Sequence, residues 1–184
     1  MVQKIVYLVN DSSFFLSHRL PTALAAIESG YEVHVASSIK NNRNILEDLG
    51  FICHEVPFSR SSLFIFSEIK ILIIIFRLYR SIKPNLLCHE TIKPVLYGTL
   101  ISKIIPKCSV INTITGLGYI FISTKKFNIF IQKVLLKLYK ILFRSNNVHL
   151  IFENYDDTSF FVNNRVISED KYTVIKGAGV DTNN

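Results

Sequence analysis

Lys4-Ile5-Val6-Tyr7-Leu8-Val9, the turn residues Asn10-Asp11-Ser12, a helical stretch from Arg19 to Ser29, and Tyr31-Glu32-Val33-His34-Val35-Ala36 decide the fold. The first and last pieces are short apolar runs rich in β-formers. Pro21 is tolerated in the first turn of the intervening helix, and Gly30 stops it. A strand, a helix and a second strand make one βαβ unit. The pattern repeats outward. Strands are expected at Phe51–Val56, Asn85–His89, Val110–Thr115, Val148–Phe152 and Tyr172–Ile175. Helices are expected at Asn44–Leu49, Glu68–Ser81, Pro94–Ile104, Lys125–Arg144 and Asp156–Val162. This alternation predicts an α/β protein with a doubly wound parallel sheet of about seven strands, covered on both faces. Ligands of such sheets bind beyond the carboxyl ends of the strands.

Composition narrows the class. The chain has 184 residues, 49% hydrophobic and 19% charged, which excludes general disorder. Cys53, Cys88 and Cys108 form no C-x-x-C pair, so a disulfide scaffold or cysteine-built zinc site is not expected. They read as reduced thiols of a cytoplasmic protein. Met1 is the only Met, and the chain is expected to begin at its true start. The apolar stretch Ile5–Val9 is too short for a secretory signal, and no run reaches the ~18 apolar residues of a membrane span.

Net charge is +7 and unevenly spread. Between Glu90 and Glu153 there is no acid, against nine Lys or Arg. Such a stretch suits an anionic partner or makes a solvated basic face. Interleaved aromatic and basic recognition motifs are missing, so no nucleic-acid partner is expected. On a wheel of Lys125–Arg144, Phe127, Ile131, Val134, Leu138 and Ile141 share one face, predicted to meet the core. Lys133, Lys137, Lys140 and Arg144 form a separate stripe, flanked by Ile129, Leu136, Tyr139 and Phe143. Basic and apolar residues side by side suit contact with a membrane surface, or else a well-buried helix with solvated lysines.

Three constellations could carry chemistry. The first, Asn10 to Arg19, is read as a loop. It lacks the G-x-G-x-x-G that a dinucleotide pyrophosphate needs. It offers Ser13 and the pair His18-Arg19, which either binds phosphate or carboxylate or merely caps the helix. The second is His89-Glu90 with Lys93 nearby, an imidazole beside a carboxylate. It is either an acid/base or hydroxyl-binding pair or a polar strand end. The third is Thr113-Ile114-Thr115-Gly116-Leu117-Gly118-Tyr119, whose glycines allow close ligand approach or a tight turn. His34, His54 and His149 read as packed or edge residues. No grouping has metal-ligand spacing, so no metal is expected.

Together these segments resemble the N-terminal domain of bacterial family 4 glycosyltransferases that build O-antigen, capsule or other lipid-linked glycans. The resemblance is carried by Phe14-Phe15-Leu16-Ser17-His18-Arg19-Leu20-Pro21, Phe58-Ser59-Arg60, His89-Glu90-Thr91-Ile92-Lys93-Pro94, Thr115-Gly116-Leu117-Gly118-Tyr119, Phe152-Glu153-Asn154 and Lys176-Gly177-Ala178-Gly179-Val180-Asp181. It implies the N-terminal half of a GT-B fold, Rossmann-like over 1–176, with 177–184 starting the linker to a C-terminal donor domain. It implies retaining transfer without a cofactor, from a nucleotide sugar to an acceptor on a polyprenyl diphosphate at the cytoplasmic membrane face. The donor domain would have to come in cis or in trans, and this half alone is expected to be inactive. The alternative is a non-catalytic binding module or one subunit of a split enzyme. By the resemblance, His18 and Arg19 would contact acceptor phosphate or sugar, with Ser13 among the substrate-binding residues. His89, Glu90 and Lys93 would orient acceptor hydroxyls. Gly116 and Gly118 would shape the cleft wall, and Glu153 and Asn154 would contact sugar. No residue of this half is assigned to catalysis.

Overall fold

The computed structural model describes residues 2–58, 65–105, 108–117, 121 and 125–177. Seven strands form one sheet: β1 (Lys4–Asp11), β2 (Glu32–Ser38), β3 (Ile52–Glu55), β4 (Leu86–Glu90), β5 (Ser109–Ile114), β6 (Val148–Phe152) and β7 (Tyr172–Val174). All neighbours pair in parallel, in the order β3-β2-β1-β4-β5-β6-β7. The chain winds outward from β1 to β3, then returns to the other side of β1 and winds out to β7. The carboxyl ends of β1 and β4 therefore flank the point where the order reverses, the usual place for a ligand crevice.

Seven α-helices and two short 3-10 helices (Lys40–Asn42 and Glu169–Lys171) accompany the sheet among the described residues, the α-helices being α1 (Ser12–His18), α2 (Leu20–Glu28), α3 (Arg43–Asp48), α4 (Ile65–Ile82), α5 (Ile92–Ser102), α6 (Lys126–Leu142) and α7 (Tyr155–Asn163). Strand residues alternate between two cores, because successive side chains point to opposite faces. Val6, Leu8, Leu87, Val110 and Leu150 pack with Ile75, Val95, Leu142 and Phe161 of α4 to α7. Ile5, Tyr7, Val9, Val33 and Val35 pack with Phe15, Ala23 and Leu46 of α1 to α3.

Two expectations are corrected. The segment after β1 is not a loop: β1 runs on to Asp11, and Ser12–His18 is helical. Asp11 is extended and its carboxylate accepts from the Ser13 amide at 2.9 Å, a cap of about 1 kcal/mol. Phe15 anchors the turn, fully buried edge-on against Tyr7 and Phe51. The second correction concerns α6. Its predicted inner face points outward, with Phe127 69% and Ile141 63% exposed and Val134 and Leu138 also exposed. Tyr139, Leu142 and the following Phe143 are buried instead. The helix is apolar on two arcs, and the arc that packs is the one whose rings meet Phe161, with centroids 5.5 Å from Tyr139 and 6.5 Å from Phe143. Large aromatics gain most from burial and contact, so they decide the rotation of the helix. Lys133, Lys137, Lys140 and Arg144 are exposed, as expected.

Candidate functional site

Arg19 stands where α1 ends and α2 begins, with φ −123° and ψ −7°, which breaks the helix in two. The break turns its side chain toward the carboxyl ends of β4 and β6. Its Nε lies 2.9 Å from Glu90 Oε2 and its Nη2 2.8 Å from Glu153 Oε1. Glu90 is the last residue of β4, and its other oxygen accepts from the Thr113 hydroxyl at 3.0 Å. The β4–β5 register places Glu90 directly beside Thr113. Three segments far apart in sequence thus deliver one cation and two carboxylates to one point.

The cluster is not equally accessible. The Glu90 side chain is 3% exposed, Arg19 12% and Glu153 18%. Burial pushes the Glu90 carboxyl up to about 7, against the pull of Arg19 and of the Thr113 hydroxyl. Arg19 is raised above its ordinary value because Glu90 and Glu153 outweigh its own desolvation. The three residues border a groove of about 240 Å³ that runs over Tyr7, Ile111 and Ile151. A concave site with mostly apolar lining and a few convergent polar groups suits a small ligand.

The His89-Glu90 pair does not act together. Side chains alternate along β4, so His89 points to the α4–α6 side while Glu90 points to the groove. His89 is fully buried. The Tyr79 hydroxyl donates to its Nε2 at 3.0 Å, and its Nδ1 donates to Asn112 Oδ1 at 2.8 Å. Thr99 also donates to that Asn112 oxygen, at 3.0 Å. Burial lowers the imidazole to about 4, so it is neutral near pH 7. Gly98 of α5 lies over the ring so closely that a Cβ there would overlap it. The expectation that His89 orients an acceptor hydroxyl is corrected: it organises the core beneath α5.

The other expected site residues scatter. Lys93 turns to α4 and donates to Glu68 at 2.7 Å, where the Tyr97 hydroxyl donates to the other carboxylate oxygen at 2.6 Å. His18 shares a short hydrogen bond with Ser17 and stacks on Phe14, centroids 4.3 Å apart. Ser13, in the first turn of α1, accepts from Asn42 at 3.1 Å. Asn154 caps α7, accepting from the Asp157 amide at 2.7 Å and donating to its carboxylate at 2.9 Å. Gly116, at φ 138°, borders a narrow crevice with Thr91 and Thr113. Gly118 lies outside the described residues, as do Ser59, Arg60, Tyr119 and 178–184.

Sequence reasoning missed Thr91. It joins β4 to α5 at φ 72°, a conformation a β-branched residue rarely adopts, and its hydroxyl is buried without a hydrogen-bond partner. Nothing local in the sequence signals that backbone. Tyr7 and Thr22 were missed as groove residues, although period-2 alternation places Tyr7 on the same face as Glu90. Among the described residues no group of three His, Cys, Asp or Glu has the arrangement to hold a metal.

A family model described as glycosyl transferase 4-like matches residues 4–154. A search of curated proteins found no match. Among solved structures the chain is similar to a glycosyltransferase from Rickettsia africae ESF-5, with TM-score 0.65 and 14% identity over 95% of this chain and 43% of that one. It is similar to MurG of Acinetobacter baumannii, with TM-score 0.61 and 10% identity over 98% and 46%. It is also similar to UDP-GlcNAc 2-epimerase from Neisseria meningitidis bound to UDP-GlcNAc, with TM-score 0.64 and 12% identity over 96% and 47%. At these identities the likeness concerns the fold, and the chain spans less than half the length of each. The family match takes in Arg19, Glu90 and Glu153, and the sheet is the N-terminal half of a GT-B fold: the chain belongs to the glycosyl transferase 4-like family.

Proposed function

We propose that this chain is the acceptor-holding half of a retaining glycosyltransferase. The donor is a nucleotide sugar, held by a C-terminal domain that follows 177–184 or is supplied in trans. The acceptor is a glycan on a polyprenyl diphosphate at the cytoplasmic membrane face. The observation that carries this reading is the clamp on Arg19. A guanidinium whose Nε and Nη2 already face carboxylates has little left for a bidentate phosphate contact. One cation against two carboxylates favours hydroxyl donors over anions. The groove end therefore suits sugar hydroxyls, which donate to free lone pairs of Glu153 and Glu90. Arg19 is a positioning residue that holds both acids in place, which revises its expected contact with acceptor phosphate.

In transfer, the acceptor oxygen bonds to the anomeric carbon of the donor as the bond from that carbon to the diphosphate breaks. The acceptor proton leaves with the diphosphate. This half binds and orients the hydroxyl, so alone it turns nothing over. Support for a nucleotide sugar comes from the family and from the UDP-GlcNAc bound to the Neisseria meningitidis epimerase.

The test mixes the chain with a donor-binding half, nucleotide sugars and lipid extracts bearing acceptors. Transfer is expected only with both halves, and Arg19→Ala should reduce it at least about tenfold. Unchanged transfer by Arg19→Ala and Glu153→Gln would overturn the assignment. Acceptor binding without transfer in any assembly would make the chain a binding module.

A further inference from the structure

A second cavity lies at the amino-terminal ends of β6 and β7, separate from the Arg19 groove. Each parallel crossover returns the chain to the amino end of the next strand, so α6 and α7 both end here. Glu90 and Glu153 stand at the opposite, carboxyl ends of the strands. The cavity is open and measures about 380 Å³. Four cationic side chains border it: Lys140 and Arg144 at the end of α6, Arg165 just after α7, and Lys171 in the turn before β7. No acidic residue borders it. Its wall is apolar, with buried Phe143 and Val166 beside half-buried Val162 and Ile167.

Like charges around one concavity repel each other. Among the described residues no carboxylate forms an ion pair with any of the four. Asp170, beside Lys171 in sequence, is bonded to the Ser168 hydroxyl. Lys171 is anchored at the rim, its ammonium donating to the Ser145 carbonyl and to Asn146 Oδ1, each at 3.3 Å. The carbonyl ends of α6 and α7 attract cations, which accounts for positive residues in this region. It does not account for Arg165. This residue follows the C-cap of α7 at φ 53°. The amides of Arg165 and Val166 bond back to the carbonyls of Val162 and Phe161 at 2.8 and 3.0 Å. Such a turn favours glycine, because a Cβ strains the left-handed backbone. An arginine here costs stability and puts a guanidinium at the rim of the cavity.

Charge complementarity defines the ligand. A carboxylate offers one negative charge to four cations. A diphosphate carries at least two and presents several oxygens to the planar forks of two arginines. A cavity of this volume suits a small ligand.

We propose that Lys140, Arg144, Arg165 and Lys171 form a second ligand site, which binds a soluble diphosphate at the end of the sheet remote from the Arg19 groove. Free pyrophosphate and a nucleoside diphosphate both present that group, and the apolar wall lies where a nucleoside would add contacts. The site uses none of the residues of the groove and stands whether or not the chain takes part in sugar transfer.

Isothermal titration of the full chain with pyrophosphate at low salt tests it. One saturable site is expected, and it should weaken as salt rises. Arg165→Gly should weaken binding at least about tenfold, the loss of one charge-assisted contact. The same variant should raise the thermal midpoint by about 2 °C through relief of the backbone. Arg165→Lys should bind better than Arg165→Gly and worse than the parent, because the charge stays and the fork is lost. Arg144→Gln should weaken binding, whereas Lys133→Gln, an exposed lysine of α6 away from the cavity, should leave it unchanged. Absence of saturable binding of pyrophosphate at low salt would overturn the proposal. So would an Arg165→Gly chain that is folded and binds normally, or a loss from Lys133→Gln equal to that from Arg144→Gln. Uridine diphosphate distinguishes the two sources. Affinity equal to that of pyrophosphate would mean that the phosphates alone are read. Tighter binding, weakened by Arg165→Gly to the same degree, would assign the site to a nucleoside diphosphate.

Discussion

Two buried polar clusters sit back to back on the same pair of strands. On one face His89 and Asn112 lie side by side in register, tied to Tyr79 and Thr99 and roofed by Gly98. On the other, Glu90 and Thr113 lie side by side in register, joined to Arg19 and Glu153. The first is neutral and closed: both ring nitrogens are used, and the one group left over, Asn112 Nδ2, has no opening beside it. The second carries two acids for one base and opens on a groove. The contrast shows what separates a structural polar cluster from a binding one. Burial alone does not; unspent hydrogen-bonding capacity beside an opening does.

Arg19→Ala breaks the contrast most severely. It strands Glu90 in its buried position, and at about pH 9, where Glu90 is ionised in the parent protein, the loss of unfolding free energy should be about 3 kcal/mol in urea denaturation. The deficit should shrink in acid, where Glu90 is protonated. A loss below about 1 kcal/mol would show that Glu90 is already neutral in the fold. Gly98→Ala attacks the closed cluster instead. The added methyl meets the His89 ring, and overpacking of this kind costs about 2 kcal/mol. Ligand binding in the groove should survive in the folded fraction, whereas Arg19→Ala should abolish it. Loss of both by Gly98→Ala would mean that the faces are coupled.

The clusters should also respond to pH in opposite directions. His89 is held at about 4, below its ordinary 6.5, so its contribution is present above 6.5 and is lost as pH falls toward 4. Glu90 is held at about 7, above its ordinary 4.5, so its contribution is present below 4.5 and is lost as pH rises through 7. Glu90→Gln should flatten the limb between about 4.5 and 7 while leaving the acid limb from His89 intact. Stability profiles by thermal melting across pH check this; an unchanged neutral limb would assign it to other groups. The smallest effect belongs to Glu153→Gln. This partly exposed partner should cost about 1 kcal/mol or less, yet weaken sugar binding more than its stability change accounts for.

The architecture was legible because each strand is a compact apolar run and each crossover has its own stop signals. Gly30 and Gly50 both adopt the positive φ that ends a helix. The site was legible in part. Arg19, Glu90 and Glu153 follow from reading strand ends, but their mutual pairing depends on sheet order and register. The opposite facing of His89 and Glu90 was available from alternation. It stayed hidden because β4 is buried on both faces and carries no polar–apolar rhythm. The rotation of α6 was not readable, because two apolar arcs compete and the winner is set by Phe161, contributed by the following helix.

Thr91 separates abundance from performance. Its left-handed backbone would suit glycine, and relief of strain by Thr91→Gly should outweigh the added freedom of the unfolded chain by about 1 kcal/mol. A library scored for folded yield would then enrich glycine at this hinge between β4 and α5. A library scored for sugar transfer would deplete it if the buried hydroxyl, which has no hydrogen-bond partner, meets its partner in the ligand. The two scores diverging at this one position would mark it as a place where the fold gives up ease of folding for use.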